Sequence, residues 1–189
     1  MDPTVLDAGA FRLRPWHADD VDGAFAALVD PETALWNAGW VKTRQDAVLW
    51  LERRQDWSAG DHASWAVEDA SDATLVGSVS LHSIDREQND AEIGYWTVPA
   101  ARGRGAAAAA VDAACRWAFG AIPVDRIELC HAVENRASGR VAEKAGFTCE
   151  GHLRRSYRYG DGVKHDELLW ARLADDPAPE PGGRLSSRR

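Results

Sequence analysis

Apolar and polar positions alternate over residues 11–14, the period of a half-buried strand. The period then lengthens. Val21, Phe25, Leu28 and Val29 form one stripe of a helix that Asp19 or Asp20 would cap, and Pro31 breaks it. Trp36 and Trp40 follow in a loop-like stretch with Asn37 and Gly39. Thr43-Arg44-Gln45-Asp46 resembles a capping box, opening a helix that carries Val48, Leu49, Leu51 and Trp57 and ends at Gly60. Strand patterns return over residues 64–68 and 75–84, joined by Asp69-Ala70-Ser71-Asp72, a turn-rich hairpin connector.

Gln88-Asn89-Asp90 turns the chain into a run of β-formers, Ile93, Tyr95, Trp96, Thr97 and Val98, which Pro99 ends because it lacks an N–H. Arg102, Gly103, Arg104 and Gly105 come next, then an alanine-rich helix ending at Phe119-Gly120. Residues 126–132 read as a strand, and residues 138–145 as a short helix stopped by Gly146. The last strands are predicted over 147–153 and 167–173, with Tyr157, Tyr159, Gly160, Asp161 and Gly162 in a long hairpin tip. From Asp175 onward proline, glycine, serine and arginine dominate, so residues 175–189 are expected to form a disordered tail behind a single domain over residues 1–174. The order β-α-α-β-β-β-α-β-α-β-β predicts an α+β fold. A mixed, mostly antiparallel sheet of about seven strands would be flanked by about four helices. The strand–helix–strand unit over 91–132 should pair in parallel with a right-handed crossover.

Composition narrows the function classes. A formal charge of −8 argues against general nucleic-acid binding and suits a cationic or amine substrate. Cys115, Cys130 and Cys149 are an odd set without C-x-x-C spacing, which reads as reduced, buried thiols in a cytoplasmic protein, with no metal site. No apolar run is long enough for a membrane span. Nine tryptophans exceed the usual needs of a core this size. Packing explains most of them, and exposed ones would suit a pocket or a homodimer.

The strand–glycine turn–helix order over 91–119 directs several backbone N–H groups to one helix N-terminus, where an anion is favoured. Gly103 and Gly105 allow close approach, and Arg102 and Arg104 add charge that can pair with phosphate. The same pattern also fits a plain turn. It is neither a P-loop, since no Gly-Lys-Ser/Thr follows, nor the three-glycine dinucleotide fingerprint.

Two stretches together resemble the GNAT superfamily of acyl-CoA-dependent N-acyltransferases. Arg102-Gly103-Arg104-Gly105-Ala106-Ala107 matches the family's R/Q-x-x-G-x-G/A pyrophosphate loop. Asn135-Arg136-Ala137-Ser138, continuing to Lys144-Ala145-Gly146-Phe147, matches its second cofactor segment. Phe11-Arg12-Leu13-Arg14-Pro15 and the strand carrying Glu92 to Trp96 resemble the branch that acetylates ribosomal-protein N-termini (RimJ/RimL-like), a branch that also holds enzymes acting on small amines. The resemblance implies acetyl-CoA as co-substrate, its pantetheine filling a gap between two splayed strands near Thr97 and Val98. It implies pyrophosphate on the amides of Gly103 to Ala107, and a backbone N–H near Thr97 and Val98 stabilising the oxyanion.

By similarity to the branch, Glu92 is the candidate base, with Glu128 second. Ser138 would donate to the leaving thiolate, in place of the tyrosine many relatives carry in this helix region; it could instead only cap the helix. Asn135 would position the pantetheine or a water. His131 suits a proton shuttle or, more simply, a hydrogen-bonded structural role. Trp36, Trp40 and Tyr157, with Tyr159, lie in segments that usually shape the acceptor pocket in this family and suit either stacking on substrate or core or lid packing; Arg154, Arg155 and Arg158 suit either a solvated hairpin face or an anionic group of the substrate or the cofactor's ribose phosphate. The expected activity is acetyl transfer to a primary amine, either a protein N-terminus or a small molecule. The alternatives are a CoA-binding regulatory module without turnover and an enzyme using a longer donor such as succinyl-CoA.

Overall fold

Eight strands hydrogen-bond into one sheet in a computed structural model that describes residues 1–37 and 40–179. In chain order the elements are β1 (Leu6–Ala8), β2 (Phe11–Pro15), α1 (Val21–Leu28), α2 (Pro31–Trp36), α3 (Arg44–Gln55), β3 (Ala63–Asp69), β4 (Leu75–Asp85), β5 (Asp90–Thr97), α4 (Ala106–Ala121), β6 (Arg126–Ala132), α5 (Arg136–Lys144), β7 (Thr148–Arg158) and β8 (Lys164–Leu173). The sheet order is β1-β2-β3-β4-β5-β6-β8-β7. Every neighbouring pair is antiparallel except β5 and β6. That parallel pair is the one the strand–helix–strand pattern predicts.

Alternation along β5 divides the sheet into two faces. Ala91 and Ile93 join the core under α4, whose inward stripe is Ala106, Ala110, Val111, Ala114, Cys115 and Ala118. Small side chains there let the helix lie close on the strands. Trp96 points into the second core, under α1 and α3, where it meets Trp16 and Trp50 at centroid distances of 6.1 and 6.2 Å. Trp57 and Trp65 pack edge-on at 4.8 Å in the first core. Most tryptophans are therefore packing residues.

Several local readings are corrected. Pro31 does not merely end a helix. It occupies the first turn of α2, which Asp30 caps by accepting from the Thr33 N–H at 3.1 Å, so Trp36 is helical rather than in a loop. The helix α3 has the predicted capping box but stops at Gln55, leaving Trp57 outside it. Tyr157 lies within β7, not in the hairpin tip. Asn135 caps α5 by accepting from Ser138 N–H at 3.2 Å, so Ser138 is not the cap. Of the three free cysteines only Cys115 is buried; Cys130 and Cys149 are exposed. The strand β1 had no alternation long enough to announce it. Of the expected tail, residues 180–189 lie outside the described residues.

Candidate active site

The strands β5 and β6 pair over only three positions, Asp90↔Arg126, Ala91↔Ile127 and Glu92↔Glu128. Beyond Glu92 and Glu128 they part, although β5 continues to Thr97 and β6 to Ala132. On its far side β5 stays paired with β4 through Thr97, and β6 stays paired with β8 through Ala132. The result is a fork whose inner edges carry main-chain groups without a strand partner. Val98 N–H donates to Val76 C=O at 2.9 Å, and Val98 C=O accepts from Ala101 N–H. Both main-chain groups of Val98 are thus engaged. Since N–H direction alternates along a strand, Thr97 N–H faces the fork instead.

A cleft of about 360 Å³ occupies the fork and runs to the start of α4. Trp36, Thr97, Arg102, Gly103, Gly105, Ala106, Ala107, Asn135 and Ser138 line it. The structure thereby brings two sequence motifs, residues 102–107 and 135–147, onto one surface. Gly103 and Gly105 have φ of +78° and +87°, a conformation that favours glycine, and the space where their Cβ atoms would stand is open. Gly105 is the N-cap of α4 and no side chain caps the helix, so the first-turn N–H groups remain available. A phosphate fits that position on backbone chemistry alone.

The arginines of this loop are otherwise committed. Arg102 pairs with Asp30 and, at 2.8 Å, with Glu32. Arg104 pairs with Asp69 and lies over the Phe11 ring, outside the cleft lining. The cations the sequence reading missed are Arg140 and Lys144, one turn apart on α5 and both on the cleft wall. Among the described residues neither makes an ion pair. Their i,i+4 spacing inside the second motif was the available signal.

Ser138 is 8% exposed, in the first turn of α5. Its Oγ lies 2.6 Å from the hydroxyl of Tyr95, a cleft residue on β5 that sequence reasoning passed over. Burial pushes the Tyr95 hydroxyl up to about 12, the Ser138 hydrogen bond opposing in part. Asn135 spends its side-chain oxygen on the cap, leaving its amide nitrogen for a ligand.

Glu92 is the last β5 residue paired with β6, on the sheet face opposite Ile93 and outside the cleft lining, with its side chain 58% exposed. His82 Nδ1 on β4 is 3.7 Å from its carboxylate. Burial holds the His82 pKa below its ordinary value against the pull of Glu92, with Arg54 and His62 acting in the same direction as burial. The neighbour is therefore mainly neutral near pH 7. Glu128, across the pair, is held by Arg126 at 2.6 Å. His131 is buried with both ring nitrogens engaged. Trp170 Nε1–H donates to Nε2 at 3.0 Å, so Nδ1 carries the proton given to Ala132 C=O at 2.7 Å. That is a structural histidine.

Trp36 packs edge-on against Tyr159 at 5.6 Å, and Tyr157 packs on Tyr159 at 5.1 Å. Gly160 N–H donates to Leu35 C=O at 2.8 Å, docking the β7–β8 tip on α2. Tyr157 and Trp40 are exposed and do not line the cleft. Among the described residues no group of His, Cys, Asp or Glu could hold a metal ion, and no helix is long and apolar enough to cross a membrane.

The family model described as "Acetyltransferase (GNAT) domain" matches residues 11–148. The chain belongs to the GNAT acetyltransferase family. Among curated proteins, this GNAT chain is 31% identical over 176 residues to the uncharacterized N-acetyltransferase YoaA of Bacillus subtilis, covering 88% of this chain and 95% of YoaA. It is 36% identical over 102 residues to the putative ribosomal N-acetyltransferase YdaF of the same organism. That alignment covers 54% of this chain and spans about half, 55%, of YdaF. Among solved structures, Mycobacterium smegmatis RimJ in complex with CoA-disulfide superposes with a TM-score of 0.77 at 26% identity, over 93% of this chain and 91% of that one.

Proposed function

We propose that this chain transfers the acetyl group of acetyl-CoA to a primary amine by direct attack in a ternary complex. The observation that carries the proposal is the single cleft joining an uncapped helix N-terminus to a forked sheet. The first turn of α4 would hold the pyrophosphate, with Arg140 and Lys144 adding charge across the cleft. The inner edge of β5 would pair with the pantetheine as an added strand, and Thr97 N–H would meet the developing oxyanion.

Glu92 takes a proton from the ammonium, directly or through a water, so that the neutral amine can attack. The new C–N bond forms, the C–S bond breaks with its electron pair going to sulfur, and the surplus proton left on the amide nitrogen passes to water. Ser138 O–H hydrogen-bonds to that thiolate, while Asn135 positions the pantetheine. A thiolate of ordinary pKa, about 8.5, leaves without full protonation, so this help is modest.

The acceptor class we favour is a protein N-terminus. Glu92 opens to solvent, which leaves room for a chain to approach, and the name of YdaF points the same way. The domain we assign to this activity is residues 1–174. The test is CoA release by the full chain from acetyl-CoA in the presence of N-terminal peptides and small amines. Turnover with peptides is the expected result. Binding of acetyl-CoA with no release for any amine would instead mark a regulatory module, and release only from succinyl-CoA would change the donor.

A further inference from the structure

The hydroxyls of Tyr95 and Ser138 meet at 2.6 Å across two different elements, β5 and α5. Both residues line the cleft. They come from opposite arms of the fork, so nothing local in the chain forces them together. The contact lies deep in the same opening that would take the pantetheine. Two hydroxyls at this distance share one hydrogen, and the direction of that hydrogen decides what the serine can do.

We propose that Tyr95 is a positioning residue for thiolate departure: its O–H donates to Ser138 Oγ, which turns the Ser138 hydrogen toward the sulfur of the leaving CoA. This inference rests on the acetyl-transfer reading above.

The physical reason is the valence of a serine hydroxyl. It has one hydrogen and two lone pairs, and on a helix its hydrogen readily goes to the carbonyl a turn earlier. A donor fixed on one lone pair restrains the Oγ and biases the hydrogen outward. Tyr95 suits that task because its phenol titrates far above a thiol and stays protonated at every pH where the enzyme would work. Its rigid ring is fixed at the base by the first core, against which it packs. For the same reason Tyr95 does not itself protonate the sulfur. The thiolate keeps its electron pair, stabilised by one hydrogen bond, and takes a proton from water after release. Catalysis gains only what a single oriented donor gives an anion, about tenfold.

The experiment compares the full-length wild type with Tyr95→Phe, Ser138→Ala and the double variant. Tyr95→Phe keeps the ring and its packing, and a thermal melt confirms that it folds. Three quantities are read: kcat and KM for acetyl-CoA, and the thiol pKa of bound CoA from its thiolate absorbance. The expected result for Tyr95→Phe is a kcat reduced about tenfold with KM unchanged, and a bound-thiol pKa raised by about one unit. The double variant should be no worse than Ser138→Ala alone. Losing a merely structural contact would not move the ionisation of a bound thiol. Wild-type values in Tyr95→Phe beside a defective Ser138→Ala would overturn the role of Tyr95 and leave that of Ser138. Losses that multiply in the double variant would show that Tyr95 does not act through Ser138. A wild type that binds no CoA would remove the acetyl-transfer reading itself, and this proposal with it.

Discussion

Gly160→Ala should disable the acceptor side of the cleft from a position outside its lining. A Cβ at residue 160 would stand 2.1 Å from Ala34 C=O oxygen, 2.9 Å from its carbon and 3.0 Å from Leu35 Cα. All three are backbone atoms of α2, so no side chain can swing away. The φ of Gly160 is not positive, so the cost is contact rather than backbone conformation. Relief needs a movement of about 1 Å between α2 and the hairpin tip. Overpacking of this kind costs about 1–3 kcal/mol, and weakening the Gly160–Leu35 hydrogen bond adds about 1 kcal/mol. For a chain of this size that lowers Tm by roughly 5–15 °C. The helix that moves carries Trp36, on the cleft wall, and Glu32 with its cap residue Asp30, the partners of Arg102. The assay is a thermal melt beside KM values for amine and acetyl-CoA. Both KM values should rise, with part of kcat retained. Gly162→Ala is the comparison: its φ is +78° with nothing near its Cβ, so it should cost about 1 kcal/mol and leave both KM values alone. A Gly160→Ala protein with wild-type Tm and KM would refute the docking of this tip as the support of α2.

Other substitutions probe the remaining parts. Glu92→Gln should lower kcat by about 10²–10⁴-fold with little change in acetyl-CoA KM, and the loss should shrink at high pH, where the amine is already neutral. Arg140→Ala with Lys144→Ala should raise the Kd for CoA about tenfold or more, an effect that added salt reduces in the wild type, read by calorimetry. The Glu68 carboxylate is 2% exposed between Arg12 and Arg14. Burial pushes its pKa up, but the hydrogen bonds from Arg14 and Arg12 outweigh that and leave it below the ordinary 4.5. Its stabilisation is therefore complete above pH 4.5 and is lost as pH falls through the lower folded value. Melting curves against pH should show that acid loss in the wild type and less of it in Glu68→Gln, which should be less stable at pH 7.

The parts of the fold set by local chemistry were legible. Runs of β-formers between turn signals marked most strands, alternation marked β2, the Thr43 capping box marked α3, and the two cofactor motifs marked both walls of the cleft. Contacts between distant residues were not. Pro31 looks the same as a stop signal and as the first turn of a new helix; the Asp30 cap decides, and the docking of Gly160 on Leu35 holds the result. Arg102 looked free to bind phosphate because its acidic partners lie some 70 residues earlier. Tyr95 read as one more β-former, and its role depends on a hydroxyl on α5 that no spacing rule relates to it. Val98 lost its part because a single backbone bond to Val76 fixes its direction.

Three paired positions form the main-chain ladder that joins the five strands before α4 to the three strands after it. A sheet sewn by so short a seam gains stitches when an extended ligand lies along it. Thermal stability should then report occupancy, rising with donor concentration as the logarithm of [L]/Kd once that ratio is large. A cell short of the donor would hold this protein in a looser state, more open to proteolysis, so that its abundance would follow the supply of its own substrate.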